Sequence, residues 1–385
     1  MADRSLSGKV AIVGADESDQ IGVVPDKSAM QLQAEAARNA LRDAGLSVRD
    51  VDGLFSAGVS PTEVGEYLGI VPTYLDGTNV GGSSFVIHVG HATAAIAAGL
   101  CDVALITHGQ SGRSRVGMPP RASSSQMLAG QFEEPFGLPQ PVGSYALACT
   151  RHMYQYGTTS EQLAEIAVAT RAWAALNPKA MYRDPITVQD VLSSRWISYP
   201  FHLLDCCLVT DAGGAVVLTS AERARDCRTT PVAVLGFGES HDHSLISQMP
   251  DLTHGPARLS GPRAFEMAGV RRDDVDLVEI YDSFTYTVLL TLEDLGFCDK
   301  GEGGAFVSGQ RTAPGGQFPL NTSGGGLSYT HPGMFGIFTI IEAVRQLRHD
   351  YADQGARQVK DAKIGLVHGT GGVLSATGTV ILGRA

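Results

Sequence analysis

The chain is written twice, and this constrains its fold more than any other feature. The stretch ALRDAGLSVRDVDGLF (40–55) returns as AFEMAGVRRDDVDLVEI (264–280), with Ala40, Ala44, Gly45, Asp50, Val51 and Asp52 falling on Ala264, Ala268, Gly269, Asp274, Val275 and Asp276. Each copy predicts a helix stopped by glycine, a short polar turn and a β-run. Two more pairs follow in the same order. NVGGSS (79–84) and NTSGGG (321–326) are each predicted to open a long helical segment, and DVALITHG (102–109) and KIGLVHGTG (363–371) each read as a strand ending in His-Gly. Paired landmarks in one order predict a duplicated α/β unit, residues 1–222 and 231–385. Apolar β-runs alternating with helices predict buried sheets covered by helices. An insertion at about 110–200, rich in Ser, Pro, Gly and Gln before the helical SEQLAEIAVATRAWAAL, is expected to shape a substrate pocket.

A length of 385 residues exceeds one typical hydrophobic core, so two fused halves are expected on size alone. The formal charge of −11 argues against nucleic acid or an anionic membrane as a partner. No apolar stretch reaches the ~20 residues of a membrane helix, and MADRSLSGKVAIVG lacks a signal-peptide core. The six cysteines are scattered without a Cys-x-x-Cys pair, which predicts reduced, mostly buried thiols in a cytoplasmic protein. No metal site is expected: His-Asp-His at 241–243 reads as a solvated loop without further ligands.

Candidate chemistry gathers where the repeat brings loops together. In EIYDSFTYTVLLTLEDLGF (279–297), Tyr281 stands at a strand-to-helix corner, where side chains commonly face a cavity. Asp282 or Ser283 is expected to cap the following helix, whose apolar face is Phe284, Val288, Leu292 and Leu295 and whose stop is Gly296. The two glycine-rich helix starts, with Gly82, Ser83 and Gly325, offer free N–H groups and the positive end of a helix dipole, suited to an oxyanion. They serve equally to let helices pass closely. Tyr329 and His331 lie in GGGLSYTHPGMFG, where Pro332 is expected to start a helix. Ser283 and His368 are candidates to line the same pocket, and His108 is the counterpart of His368 in the first half.

LLDCCLVTDAGGAVVLTS (203–220), TLEDLGFCDKGEGGAFV (291–307), NTSGGGLSYTHPGMFG (321–336) and the HGTGG ending resemble, in order, blocks of the thiolase superfamily, specifically its sterol-carrier branch. The resemblance implies a duplicated five-layer αβαβα fold with a loop domain at about 110–200, a homodimer and an acyl-CoA ligand. The departures are informative. The position of the family's nucleophilic cysteine falls on Gly82, and the branch's His-Asp-Cys-Phe motif reads Tyr281-Asp282-Ser283-Phe284. Both reactive thiols are absent, while a histidine remains in Thr330-His331-Pro332.

That pattern is similar to the thiolase-like aldolases that remove steroid side chains. It implies retro-aldol cleavage of a bulky β-hydroxyacyl-CoA, a 17-hydroxysteroid side-chain thioester, to a 17-ketosteroid and propionyl-CoA. Tyr281 and Tyr329 are expected to move protons and His331 to polarise the thioester oxygen. No cofactor is expected beyond the coenzyme A carried by the substrate. The resemblance also implies a separate small partner with a zinc ribbon and an OB-fold. Arg113, Arg115 and Arg121 are candidates for the CoA phosphates, or a solvated basic loop. Two other readings remain: an acyltransferase using Ser83 or Ser84, and a non-catalytic acyl-CoA-binding subunit.

Overall fold

The computed structural model of the chain describes residues 4–117 and 126–384. The first half runs β1 (Val10–Glu17), α1 (Ala29–Ala44), β2 (Gly53–Ser56), α2 (Pro61–Leu68), β3 (Tyr74–Asp76), α3 (Ser84–Ala97) and β4 (Val103–Ser111). The insertion holds α4 (Leu128–Phe132), α5 (Val142–Tyr156), α6 (Ser160–Leu176), α7 (Val188–Ser193) and the hairpin β5 (Trp196–Ser198) and β6 (Phe201–His202). The half closes with β7 (Asp211–Ser220). The second half runs β8 (Val232–His241), α8 (Ala257–Ala268), β9 (Leu277–Ile280), α9 (Thr285–Leu295), α10 (Gly303–Val307), α11 (Gly336–Arg348), β10 (Ile364–Gly371) and β11 (Ala376–Arg384).

The strands lie in the order β3-β2-β4-β7-β1-β8-β11-β10-β9. The run β2-β4-β7-β1 is mirrored by β9-β10-β11-β8, and the two half-sheets pair through Ala11–Ala233 and Ile12–Val232 of β1 and β8. Helix α1 covers the outer face of the first half-sheet and α8 that of the second. Between them α3 and α11 each touch strands of both halves. The layers are therefore helix, sheet, helix, sheet, helix, as the duplication predicts.

The repeated residues do the same work in each copy. Gly45 and Gly269 stop α1 and α8 in the left-handed conformation, at φ 76° and 70°. Asp50 and Asp274 accept the amides of Ser47 and Arg271, tightening the turn that follows. Asp52 accepts the amides of Asp102 and Val103, and Asp276 those of Lys363 and Ile364, so each carboxylate ties its turn to the start of the neighbouring strand. Gly14 and Gly236 let the outer helices sit directly on the strands: a Cβ on either would lie 2.2 Å from the carbonyl oxygen of Ala40 or Ala264.

Several local expectations are corrected by packing. NTSGGG does not open a long helix; it leads into one π-type turn (Gly325–Tyr329), and α11 starts later, at Gly336. Pro332 accordingly lies in the bend before α11 rather than at its first position. Helix α9 stops at Gly296 as read, yet every one of its residues is buried, because α5, α6, α8 and α10 surround it. Its N-cap is Phe284, without a side-chain cap from Asp282 or Ser283. Only Cys101 and Cys149 are fully buried; the other four cysteines are half-buried. His243 of the 241–243 stretch is buried, bonded to Asp242 and the Val373 carbonyl rather than to solvent. No helix of the described residues is long and apolar enough to cross a membrane.

Adding a methyl at Gly14 or Gly236 must push a helix off its strand. Gly14→Ala and Gly236→Ala are each expected to cost about 1–3 kcal/mol of stability, read as a lower denaturant midpoint with the far-UV spectrum retained.

Candidate active site

Strand β9 pairs in parallel with β10, and the Tyr281 amide continues the ladder to the His368 carbonyl at 2.9 Å. This fixes the corner and turns the Tyr281 side chain inward, over the start of α3. The phenol oxygen lies 2.6 Å from His331 Nε2, and the ring packs edge-on against Phe335 at 5.8 Å. Tyr281 and His331 keep 6% and 8% exposure, so the pair is reached from outside but mostly dry. Burial pulls the His331 imidazole down to about 4, leaving it neutral and able to accept a proton. Burial, with Cys207, Tyr145 and Asp282 nearby, holds the Tyr281 phenol well above its ordinary value. Tyr281 is therefore a poor free phenolate and a competent donor to His331.

The Tyr281 ring stands where a side chain on residue 82 would be. A Cβ on Gly82 would meet its Cε1 at 1.8 Å. From the other side, a Cβ on Gly336 would meet the Gly82 carbonyl oxygen at 2.1 Å. The glycine at 82 is thus dictated by tyrosine above it and α11 beside it, and no cysteine fits there. The backbone amides of Gly82 and Ser83 have no acceptor among the described residues. Ser83 Oγ is buried and likewise unpartnered, whereas Ser84 Oγ is spent within its own turn on Gly81 and Val80. Neither serine has a base beside it.

The second glycine-rich loop is organised differently from the expectation of an open oxyanion site. Gly324 and Gly325 both take positive φ, 97° and 57°, starting a turn in which the amides of Tyr329 and Thr330 reach back five residues. Its free amides are taken by Asp282: Gly326 N–H donates to Oδ1 at 2.6 Å and Leu327 N–H to Oδ2 at 3.2 Å. The Gly325 amide donates to Ser323 Oγ. Gly325 is therefore not a free oxyanion donor.

Tyr329 leaves this turn in another direction. Its hydroxyl donates to Glu17 Oε1 at 3.3 Å, in a cavity of about 270 Å³ that also holds Lys179, Arg345 and Tyr351. Burial alone would raise the Glu17 carboxyl, but Arg345 and Lys179, at 2.7 and 2.6 Å, bring it down to about 2. Phe335 and Phe338 stand between the tyrosines, with ring contacts running Tyr281–Phe335–Phe338–Tyr329. The two phenols that the sequence suggested as partners are bonded to different groups.

Of the remaining candidates, Ser283 is tied to Thr287 Oγ1 at 2.8 Å, and His368 to Thr379 with Nε2 unpartnered. Burial brings His368 to about 3. His108, the counterpart of His368, is buried; burial, with His331 nearby, brings it down to about 3. Sequence reasoning missed Cys207, whose amide donates to the Ser283 carbonyl and whose thiol faces Tyr281 and Asp282; burial pushes that thiol far up, so it stays protonated. The adjacent Cys206–Cys207 pair in LLDCCLV was its only sequence signal. Arg113 is exposed and Arg115 half-buried, and Arg121 lies outside the described residues.

Comparison with known proteins agrees with this architecture. The thiolase C-terminal domain-like family matches residues 238–384. The chain is 38% identical over 361 residues to 17-hydroxy-3-oxo-4-pregnene-20-carboxyl-CoA lyase of Mycobacterium tuberculosis, covering 89% of this chain and 92% of that one. It is 36% identical over 372 residues to the steroid side-chain-cleaving aldolase of Thermomonospora curvata, covering 91% and 93%. The solved Ltp2-ChsH2(DUF35) aldolase superposes with a TM-score of 0.89 at 34% identity over 98% of each chain. Human mitochondrial 3-ketoacyl-CoA thiolase, at 18% identity and a TM-score of 0.71 over 99% of both, shares the fold. The chain belongs to the thiolase superfamily, in the thiolase-like branch of the steroid side-chain-cleaving aldolases.

Proposed function

We propose that the protein is a CoA-dependent carbon–carbon lyase that cleaves a 17-hydroxysteroid side-chain CoA thioester into a 17-ketosteroid and propionyl-CoA. The observation that carries this reading is the Tyr281 ring over Gly82, 1.8 Å from where a Cβ would stand. It leaves no room for a covalent nucleophile at residue 82 and puts an acid–base pair there instead. A retro-aldol reaction needs that exchange: it forms no acyl-enzyme but must move a proton from the β-hydroxyl to the α-carbon.

In the proposed cycle the 17-hydroxyl gives its proton to the Tyr281 oxygen while Tyr281 passes its own to neutral His331 Nε2. The carbon–carbon bond breaks, its electron pair passing to the α-carbon as a thioester enolate. Tyr281 then returns a proton to that carbon and recovers one from His331. The relay avoids a free buried phenolate, which this environment disfavours. The free amides of Gly82 and Ser83 at the start of α3 are the proposed donors to the enolate oxygen. Tyr329, next to Glu17, is assigned a supporting role. The alternative serine acyltransferase is opposed by the lack of any base on Ser83 or Ser84.

The partner proposed for this chain is a small protein of the DUF35 type, which the likeness to the solved Ltp2-ChsH2(DUF35) aldolase supports; a zinc ribbon and an OB-fold in that partner are proposed from the family resemblance alone. A homodimer is proposed on the edge strand β3, whose Leu75, 43% exposed, and neighbouring Val71, 91% exposed, present an uncovered apolar edge. A cytoplasmic location is part of the same proposal.

The test is to incubate the protein and such a partner with the steroid thioester and follow propionyl-CoA and 17-ketosteroid by chromatography. Tyr281→Phe is expected to lower kcat by about 10²–10⁴-fold. Tyr329→Phe loses one hydrogen bond outside the reacting pocket and is expected to cost less than about tenfold. Gly82→Ala displaces the Tyr281 ring and is expected to cost on the order of 10²-fold in a folded protein. A mass increase trapped on Ser83 would support the acyltransferase instead, and tight CoA-ester binding without product would support the non-catalytic subunit.

A further inference from the structure

Asp282 is next to Tyr281 in the chain and wholly buried, and no lysine or arginine is among the groups acting on its carboxyl. Buried carboxylates are ordinarily paired with a cation or neutralised. This one is instead met by two backbone amides, Gly326 N–H at 2.6 Å and Leu327 N–H at 3.2 Å. The turn is shaped around it: a Cβ on Gly325 would strike Asp282 Oδ2 at 2.1 Å, which explains why the second residue after Asn321-Thr322-Ser323 is glycine. A Cβ on Gly326 would lie 3.1 Å from Asp282 Oδ1 and 3.4 Å from His331 Cδ2, so carboxylate and imidazole flank one glycine. The chain on either side of the contact carries Tyr281 and His331, whose own contact is 2.6 Å.

We infer that Asp282 is a positioning residue for the proposed reaction, its carboxylate clamping the turn at 325–327 so that His331 is held against the Tyr281 hydroxyl. The inference rests on the lyase reading for its kinetic consequence, but not for its structural one. Asp282 touches no reacting atom; it fixes the turn through which His331 is carried. Half-buried Cys207 and the Leu208 amide, which donates to the Gly326 carbonyl, close the same turn from the third side.

The clamp requires acceptor oxygens on both sides, so it is complete when Asp282 is ionised. Burial raises that carboxyl to about 7, the two amides opposing the rise. The other titratable groups facing the site do not change charge there: Tyr281, Cys207 and Tyr145 are pushed up by burial, and His331 and His108 are brought down to about 4 and about 3. A fall in kcat as pH drops through about 7 is therefore assigned to this group.

The experiment measures kcat, KM and the pH profile for the wild type, Asp282→Asn and Gly325→Ala, with melting temperature and CoA-ester binding as checks on folding. Asp282→Asn puts an amide NH₂ against a backbone N–H, and Gly325→Ala forces the same contact apart from the other side. Each is expected to lower kcat by about 10–10²-fold with KM within about twofold, and Asp282→Asn to abolish the limb near pH 7. The double variant is expected to be no worse than the weaker single one, since both break one contact. Wild-type kcat and an unaltered pH profile in folded Asp282→Asn overturn the inference. Should the wild type itself give no product, the lyase reading falls, and the clamp is then judged on a crystal structure of Asp282→Asn: a turn and a Tyr281–His331 contact unchanged from 2.6 Å overturn it, and a displaced His331 upholds it.

Discussion

The structure depends on how closely two half-sheets hold α3 between them. The start of α3 is pressed against glycines of the second half, which put no side chains of their own into the gap. A Cβ on Gly371 would lie 1.9 Å from the Val80 carbonyl oxygen, one on Gly369 2.8 Å from Ser83 Cα, and one on Gly378 2.9 Å from Ile87 Cγ1. These approaches bury the α3 start under β10 and β11 and aim its free amides at the Tyr281 corner. Cores at crystal-like density do not tolerate added atoms there, so the glycines fix the geometry of the site as well as the packing of the layers.

Within that frame, the occupant of the space above Gly82 bears on the chemistry the pocket can support. Where the resemblance places a cysteine nucleophile, the space belongs to an aromatic ring contributed by the other half of the duplication. A side chain on residue 82 and the tyrosine at 281 in this position exclude one another. What survives is the dry pocket, the helix start and a neutral histidine. Those parts suit an enolate whether or not an acyl-enzyme precedes it.

Much of the frame was legible because the signals behind it are local. Glycine stops helices through its own backbone, and Asp50 and Asp274 bond amides of their own turn, three residues back. These devices repeat with the repeat. Where prediction failed, the deciding contact was remote. Asp282 was read as a cap for α9, the nearest helix, but its acceptors went to amides 44 and 45 residues away. The bond of the Tyr329 hydroxyl to Glu17, 312 residues away along the chain, was equally illegible in the sequence. Helix α9 was read as amphipathic, and its polar face proved to be covered by α5 and α6 of the insertion together with α8 and α10 of its own half.

The sequence by itself determined the duplication, the layer order, the corner bearing Tyr281 and the absence of both family thiols, because each is written in residue types and spacings along the chain. Only the tertiary structure decided which free amides remain free, which tyrosine meets His331 and what holds the second glycine turn. Those outcomes depend on which polar groups the fold brings together in a dry interior, where a buried donor must find an acceptor and a donor already paired is not free for another.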